Sequence, residues 1–285
     1  MKKNGSQPHG ERPRTDKNSA PKRKTTRASG SLSLDGSQNK RELSETFCAS
    51  GADALLEGEL DDAFDCYERA VRLDPRSANA RVGLGKAWLA AERYDRAFEE
   101  ADAALKLDAK NFEAYELRGH ARRLQGDFKA AIDDYERSLA LNRRAYLSFY
   151  GRAVARDMLG DVELALADFK ACLAIAPEFV PAYYDRAVLL ANENRLDDAI
   201  GDYSRALELD PEFVHCYVAR GEALTERGHA RRAMQDFNKA LELDPENADA
   251  YYYRSLAWRE LGDVQAARRD LQTARELGFD EDDDA

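Results

Sequence analysis

Beyond residue 43, apolar residues recur at three- and four-residue spacing in short blocks, each bounded by a glycine, an asparagine or a proline-containing corner. That spacing puts the apolar side chains on one face of a helix, so every block predicts an amphipathic helix and every boundary a turn. The blocks themselves repeat. Seven units of 34 residues fit end to end from Ser44 to Glu281, at 44–77, 78–111, 112–145, 146–179, 180–213, 214–247 and 248–281. Two helices per unit predict fourteen, running from Ser44 to about Leu277 without a strand, and a fixed period of this length marks units that bury their faces only against neighbours. Gly58, Gly126, Gly160, Gly228 and Gly262, with Asn194 as a substitute, stand where the first helix of a unit must end in the left-handed conformation.

Side-chain size follows the same period. Position twenty of each unit is Ala63, Ala97, Ala131, Ala165, Ala199, Ala233 and Ala267, and positions eight and twenty-seven are small throughout. Large rings alternate with them: Phe47, Tyr115, Phe149, Tyr183, Tyr217 and Tyr251 at position four, and Tyr67, Tyr135, Phe169, Tyr203 and Phe237 at position twenty-four. Small against large is how close-packed helices interlock, so both sets of rings are expected in the core. Unit two departs, with Arg81 at position four and Ala101 at position twenty-four, and is where a break in the stack would fall. Positions twenty-one and twenty-eight are apolar in six units and become Arg268 and Arg275 in the last, while Asp53 replaces the usual small residue at position ten of the first. Polar outer faces of this kind are expected of a solenoid capped at both ends.

The small residues at eight, twenty and twenty-seven, with Pro75, Pro177, Pro211 and Pro245 at thirty-two, resemble the tetratricopeptide repeat family over all seven units. Ala109, Arg143 and Phe279 stand where that proline is usual. The resemblance implies an all-α, right-handed α-solenoid of seven helix-turn-helix repeats. It also implies a concave groove lined by the first helices through positions two, five, six, nine, twelve and thirteen, in which a protein or peptide segment binds. Those positions place Tyr150, Tyr184, Val218 and Tyr252 on one stripe, widened by Val154, Val188 and Leu256. Packing against neighbouring repeats is the other role open to these rings. Tyr184 and Tyr252 each directly follow an expected core tyrosine and so face another side of the helix, which favours the ligand stripe. Glu222 and Glu226, with Asp157, Asp185 and Asp249 and against Arg259, make the lining acidic and select apolar or aromatic ligands with Lys or Arg flanks. One subgroup of the family binds acidic chaperone termini through a carboxylate clamp. Its Lys-Asn-Asn-Lys-Arg positions are Cys48, Ala52, Gly83, Glu113 and Leu117 in the first possible register and no better in the others, so that partner is not implied.

Charge changes the picture at the N-terminus. Residues 1–43 hold eleven Lys and Arg against four acids, a net +7, which leaves −18 on the remainder of a chain whose total is −11. With no aromatic residue and few aliphatic ones this segment is expected to be a disordered basic tail, and residues 282–285 an acidic one. The basic tail offers the alternative function, weak sequence-blind association with nucleic acid; the acidic body repels phosphate and opposes it. Pro21-Lys22-Arg23-Lys24 also resembles a short nuclear import signal, the alternative in a eukaryote to the expected cytoplasmic location. No run is apolar enough to span a bilayer.

Enzymatic chemistry finds no support. Cys48, Cys66, Cys172 and Cys216 occupy unrelated repeat positions with no Cys-x-x-Cys, and Cys172 and Cys216 take slots otherwise held by small core residues. Glu116 and His120 share a helix face, yet one pair is neither a catalytic constellation nor a metal site, and no phosphate loop or nucleophile motif is present. The expectation is a non-catalytic adaptor without cofactor or metal.

Overall fold

The computed structural model describes residues 36–279. Among them are fourteen α-helices and no strand. Units one to four contribute α1 (Gly36–Glu57) and α2 (Leu60–Leu73), α3 (Ala78–Ala90) and α4 (Tyr94–Leu107), α5 (Phe112–Leu124) and α6 (Phe128–Leu141), α7 (Tyr146–Leu159) and α8 (Val162–Ile175). Units five to seven contribute α9 (Val180–Asn192) and α10 (Leu196–Leu209), α11 (Val214–Glu226) and α12 (Ala230–Leu243), α13 (Ala248–Glu260) and α14 (Val264–Glu276). Each helix packs on its partner and on the adjacent unit, giving a right-handed α-solenoid. Helix α1 begins at Gly36, eight residues before the boundary read from the sequence, so residues 36–43 lengthen the first helix. The disorder expected of the basic tail 1–43 is thus replaced by helix over 36–43, while residues 1–35, with the import-signal and nucleic-acid readings that fall on them, and the acidic terminus at 282–285 lie outside the described residues.

The turns follow the breakers. Gly58, Gly126, Gly160, Gly228, Gly262 and Asn194 all have positive φ, and in unit two Glu92 takes the same role at φ 58°, a conformation a glutamate rarely adopts.

The position-twenty-four rings fill the core, from Tyr135 and Phe237 at 0% exposure to Tyr67 at 3%. Tyr135 fits because two glycines flank it: a Cβ on Gly119 would lie 2.8 Å from its ring, and one on Gly151, in the next unit, would collide with it. Tyr67 is accommodated in the same way by Gly83. In unit two, where Ala101 stands in place of the ring, position six of the next unit is Leu117, 2% exposed, and its side chain supplies the missing volume. The stack therefore continues through unit two, as the unbroken 34-residue register requires.

The position-four rings correct a second expectation. They are half-buried, and in units three to seven each lies under the guanidinium of the arginine at position seven, at 5.6, 5.7, 5.8, 5.8 and 5.2 Å. The same arginines fork onto the aspartate at position twenty-three: Arg118–Asp134, Arg152–Asp168, Arg186–Asp202, Arg220–Asp236 and Arg254–Asp270, with all ten N–H···O distances between 2.6 and 3.0 Å. Arg118, Arg220 and Arg254 also reach back to position twenty-five of the preceding unit, at Asp102, Ser204 and Asn238. The result is a ladder of bidentate pairs that ties helix to helix and unit to unit. Unit two keeps the charge pairing by a different route: Arg81 at position four donates to Glu100 at 2.9 Å, while position seven is the buried Leu84.

Candidate functional site

Each first helix carries its position-five residue at the boundary with the next unit, and what meets that residue depends on position thirty-four. Ser77, Asn111 and Asn247 cap the following helix, their side-chain oxygens accepting from the N–H of Ala80, Ala114 and Ala250 at 2.9–3.1 Å. At the ends of units four and five the position is Phe179 and Phe213, and neither provides a side-chain cap. Their rings turn instead onto the tyrosines. Phe179 meets Tyr150 edge-on at 5.2 Å and Tyr146 at 5.3 Å, and Phe213 meets Tyr184 at 4.9 Å. In unit seven Phe279 stacks on Tyr252 at 4.0 Å and 17°. Successive first helices meet most sparsely where the two phenylalanines are wedged, at α7–α9 and α9–α11.

Next to Tyr184 this spacing opens a hollow of about 240 Å³ between α9 and α11. Tyr184, Val188, Ala191 and Asn192 form one wall, Ala219, Glu222, Ala223 and Glu226 the other, and Tyr203 of α10 lies behind. Four of the nine candidate residues thus come together: Tyr184, Val188, Glu222 and Glu226. The rest are placed otherwise. Val218 is 6% exposed and belongs to the core with Ala240 and Ala250, which removes it from the stripe. Tyr150 and Val154 pack on the cluster around Phe169. Tyr252 lies under Phe279, and Leu256 is half-buried on α13. The choice between ligand stripe and packing is therefore not exclusive at Tyr184, which packs on Tyr203 and Phe213 and lines the hollow as well. Burial holds its hydroxyl above the ordinary tyrosine range, with Cys216 and the carboxylates of Asp185, Glu222 and Asp249 adding to the effect.

The lining of units three to five is more mixed than its sequence suggested. The Tyr150 hydroxyl donates to Asp185 Oδ2 at 2.7 Å, and burial raises Asp185 from 3.8 to about 6, Asp157 adding to the rise while that hydrogen bond and Arg123 oppose it. Arg123, at position twelve of unit three, brings positive charge into a region that reads as acidic from its other members, and its Nε is buried without an acceptor. Glu116 and His120 do not act as a pair. Glu116 is buried, its carboxyl raised by desolvation and receiving the Ser148 hydroxyl at 2.7 Å, with Ser138 and Ser148 hydrogen-bonded at 2.8 Å. His120 lies 3.1 Å from the Tyr135 hydroxyl through Nδ1 and is held down to about 3 by burial, so it is neutral at physiological pH. Burial pushes the thiols of Cys172 and Cys216 up to about 12, as for small apolar core groups. Among the described residues no group of His, Cys, Asp and Glu could hold a metal ion, and no helix is long and apolar enough to cross a membrane.

Tetratricopeptide repeat models match residues 49–112, 117–178 and 180–213, and a TPR repeat model matches 221–262. The chain belongs to the tetratricopeptide repeat family, whose members are in general non-catalytic scaffolds for protein–protein interaction. No curated protein matches the sequence. Among solved structures, the APC/C hetero-tetramer Cut9–Hcn1 aligns with a TM-score of 0.68 at 16% identity, over 82% of this chain and 46% of that one, so the chain spans about half the length of that neighbour. PilF of Pseudomonas aeruginosa aligns at TM-score 0.66 and 16% identity, over 76% of this chain and 99% of its own. YrrB, described as a TPR protein with an unusual peptide-binding site, aligns at 0.52 and 22%, over 65% of this chain and 95% of its own. These likenesses are of fold.

Phe179, Phe213, Arg123 and the arginine ladder all escaped the sequence reading. The ladder had a signal, an Arg–Asp pair sixteen residues apart recurring in five consecutive units. The phenylalanines had one too: an aromatic at position five coincides with a phenylalanine at position thirty-four in units four and five and at position thirty-two in unit seven, and with neither in the other units.

Proposed function

We propose that the protein is a non-catalytic interaction scaffold whose groove holds a segment of a partner protein, preferring apolar or aromatic side chains with Lys or Arg flanks. The observation that carries this reading is the hollow between α9 and α11, where ring and aliphatic surface adjoins two glutamates. A concave site in which polar groups converge beside ring and aliphatic surface can hold a side chain, and the opposite charge of the rim selects the flanks. The description of YrrB as carrying a peptide-binding site is in keeping with it. Peptide display on the immobilised full chain tests the reading. Aromatic peptides with basic flanks should be enriched, and enrichment should vanish with Val188→Trp, which fills the hollow while leaving the core rings in place. Enrichment of acidic peptides, or equal enrichment on the Val188→Trp chain, would sink the proposal.

A further inference from the structure

We propose that the hollow between α9 and α11 is an arginine slot: it takes one guanidinium-bearing side chain from an extended segment of a partner protein. This rests on the groove reading above and adds the identity of the anchoring residue. Tyr184 offers ring surface, with the buried Tyr203 closing the back, and Val188 and Ala219 offer aliphatic surface to a side-chain stem. Glu222 and Glu226 are four residues apart on α11, one turn, so both carboxylates serve the same face of the helix. A cation entering such a slot leaves water and must meet opposite charge there, which the two glutamates supply. At the groove positions of units five to seven Asp185, Glu222, Glu226, Asp249 and Glu260 outnumber Arg259, so the surroundings favour a basic segment as well.

Ring plus carboxylate selects arginine over lysine. A guanidinium is planar, weakly hydrated and forked, so it can lie on a ring while donating sideways to carboxylates; an ammonium is a compact, strongly hydrated charge. The array uses this recognition internally five times. At the nearest instance the Arg186 guanidinium sits 5.8 Å from the Tyr183 centroid and donates to both oxygens of Asp202 at 2.6 and 2.7 Å. The slot presents an incoming side chain with the same two kinds of group, the ring borne by α9 and the carboxylates by α11.

The test is calorimetric titration of the full-length chain with blocked pentapeptides Gly-Tyr-X-Tyr-Gly, X being arginine, lysine or citrulline. Arginine should bind about three- to five-fold more tightly than lysine, the increment that stacking of a cation on a ring supplies. Citrulline, of the same shape without the charge, should bind at least about tenfold more weakly than arginine, in line with loss of a charge-assisted hydrogen bond. Glu222→Gln with Glu226→Gln should erase the difference between arginine and citrulline without lowering the melting temperature. Equal affinity for arginine and citrulline, or an unaltered preference in the double variant, overturns the assignment. Arginine binding seen only after Arg12, Arg14, Arg23 and Arg27 are changed to Ser would make the chain's own N-terminal segment the occupant and overturn the partner assignment. If the arginine peptide binds none of these chains while displayed peptides still lose binding on Val188→Trp, the slot falls and the groove reading stands.

Discussion

The junction between units two and three and the junction between units five and six are built from the same repeat, yet they end differently. At the first, Asn111 caps α5 through a 2.9 Å hydrogen bond to the N–H of Ala114. At the second, Phe213 stands in that position, α11 has no side-chain cap, and the ring lies 4.9 Å from that of Tyr184. One residue thus decides whether a repeat spends its last position on helix stability or on the groove. Where it is polar, a helix end is satisfied and the first helices approach closely; where it is phenylalanine they meet more sparsely, and beside Phe213 a slot opens between them. The periodic positions make the rod, and the departures from period make the site. Helix capping is worth about 1 kcal/mol, a modest stability cost for a surface that two neighbouring helices could not otherwise form.

That contrast can be broken or sharpened by experiment. The largest effect belongs to the core ring that a capped and an uncapped junction share: Tyr67→Ala, at the Ser77-capped junction of units one and two, and Tyr203→Ala, at that of units five and six, should each destabilise by about 3–5 kcal/mol in urea unfolding. Unequal losses would mean that the two kinds of junction differ in their core and not at position thirty-four alone. Asp185 comes next. Its folded-state value of about 6 lies above the ordinary 3.8, so between about pH 4 and 6 the folded chain binds more protons than the unfolded one, and stability falls as pH rises through that window. The Asp185→Asn chain should lack this fall and be more stable at pH 7 by on the order of 3 kcal/mol; parallel stability–pH curves for the two chains would refute it. Phe213→Asn exchanges the two junction types directly. It should restore a cap to α11 yet lose ring contacts with Tyr184, for a net loss of about 1–2 kcal/mol, against about 1 kcal/mol for Asn111→Ala, which only removes a cap. A stabilised Phe213→Asn chain would show that the ring contributes nothing. The smallest effect concerns the turn of unit two, where Glu92→Gly should raise stability by up to about 1 kcal/mol by relieving its positive φ. A fall in melting temperature would count against it.

Much of the array was legible in the sequence because its interactions are local or recur at a fixed offset. Fourteen helices, their glycine turns, the invariant alanine at position twenty and the position-twenty-four rings all follow from period and residue size, since a helix-turn-helix unit packs only on itself and its neighbours. The position-four rings were legible as contacts but not as half-exposed platforms under arginine, because residue type does not say which side of a packed ring faces solvent. Leu117 filling the space left by Ala101 was hidden for a related reason: the two residues lie in different units, and the exchange conserves volume across the interface without preserving either position. Of the candidate stripe, the sequence determined that Tyr150, Tyr184 and Tyr252 share a helix face. Only the tertiary structure decided that Val218 is core, that Phe179, Phe213 and Phe279 cover the tyrosines, and that a slot opens beside Tyr184 and not along the whole stripe. A helix face is set by a period within one segment, whereas a cavity is set by the separation of two helices, and that separation depends on the volume of a side chain contributed by neither.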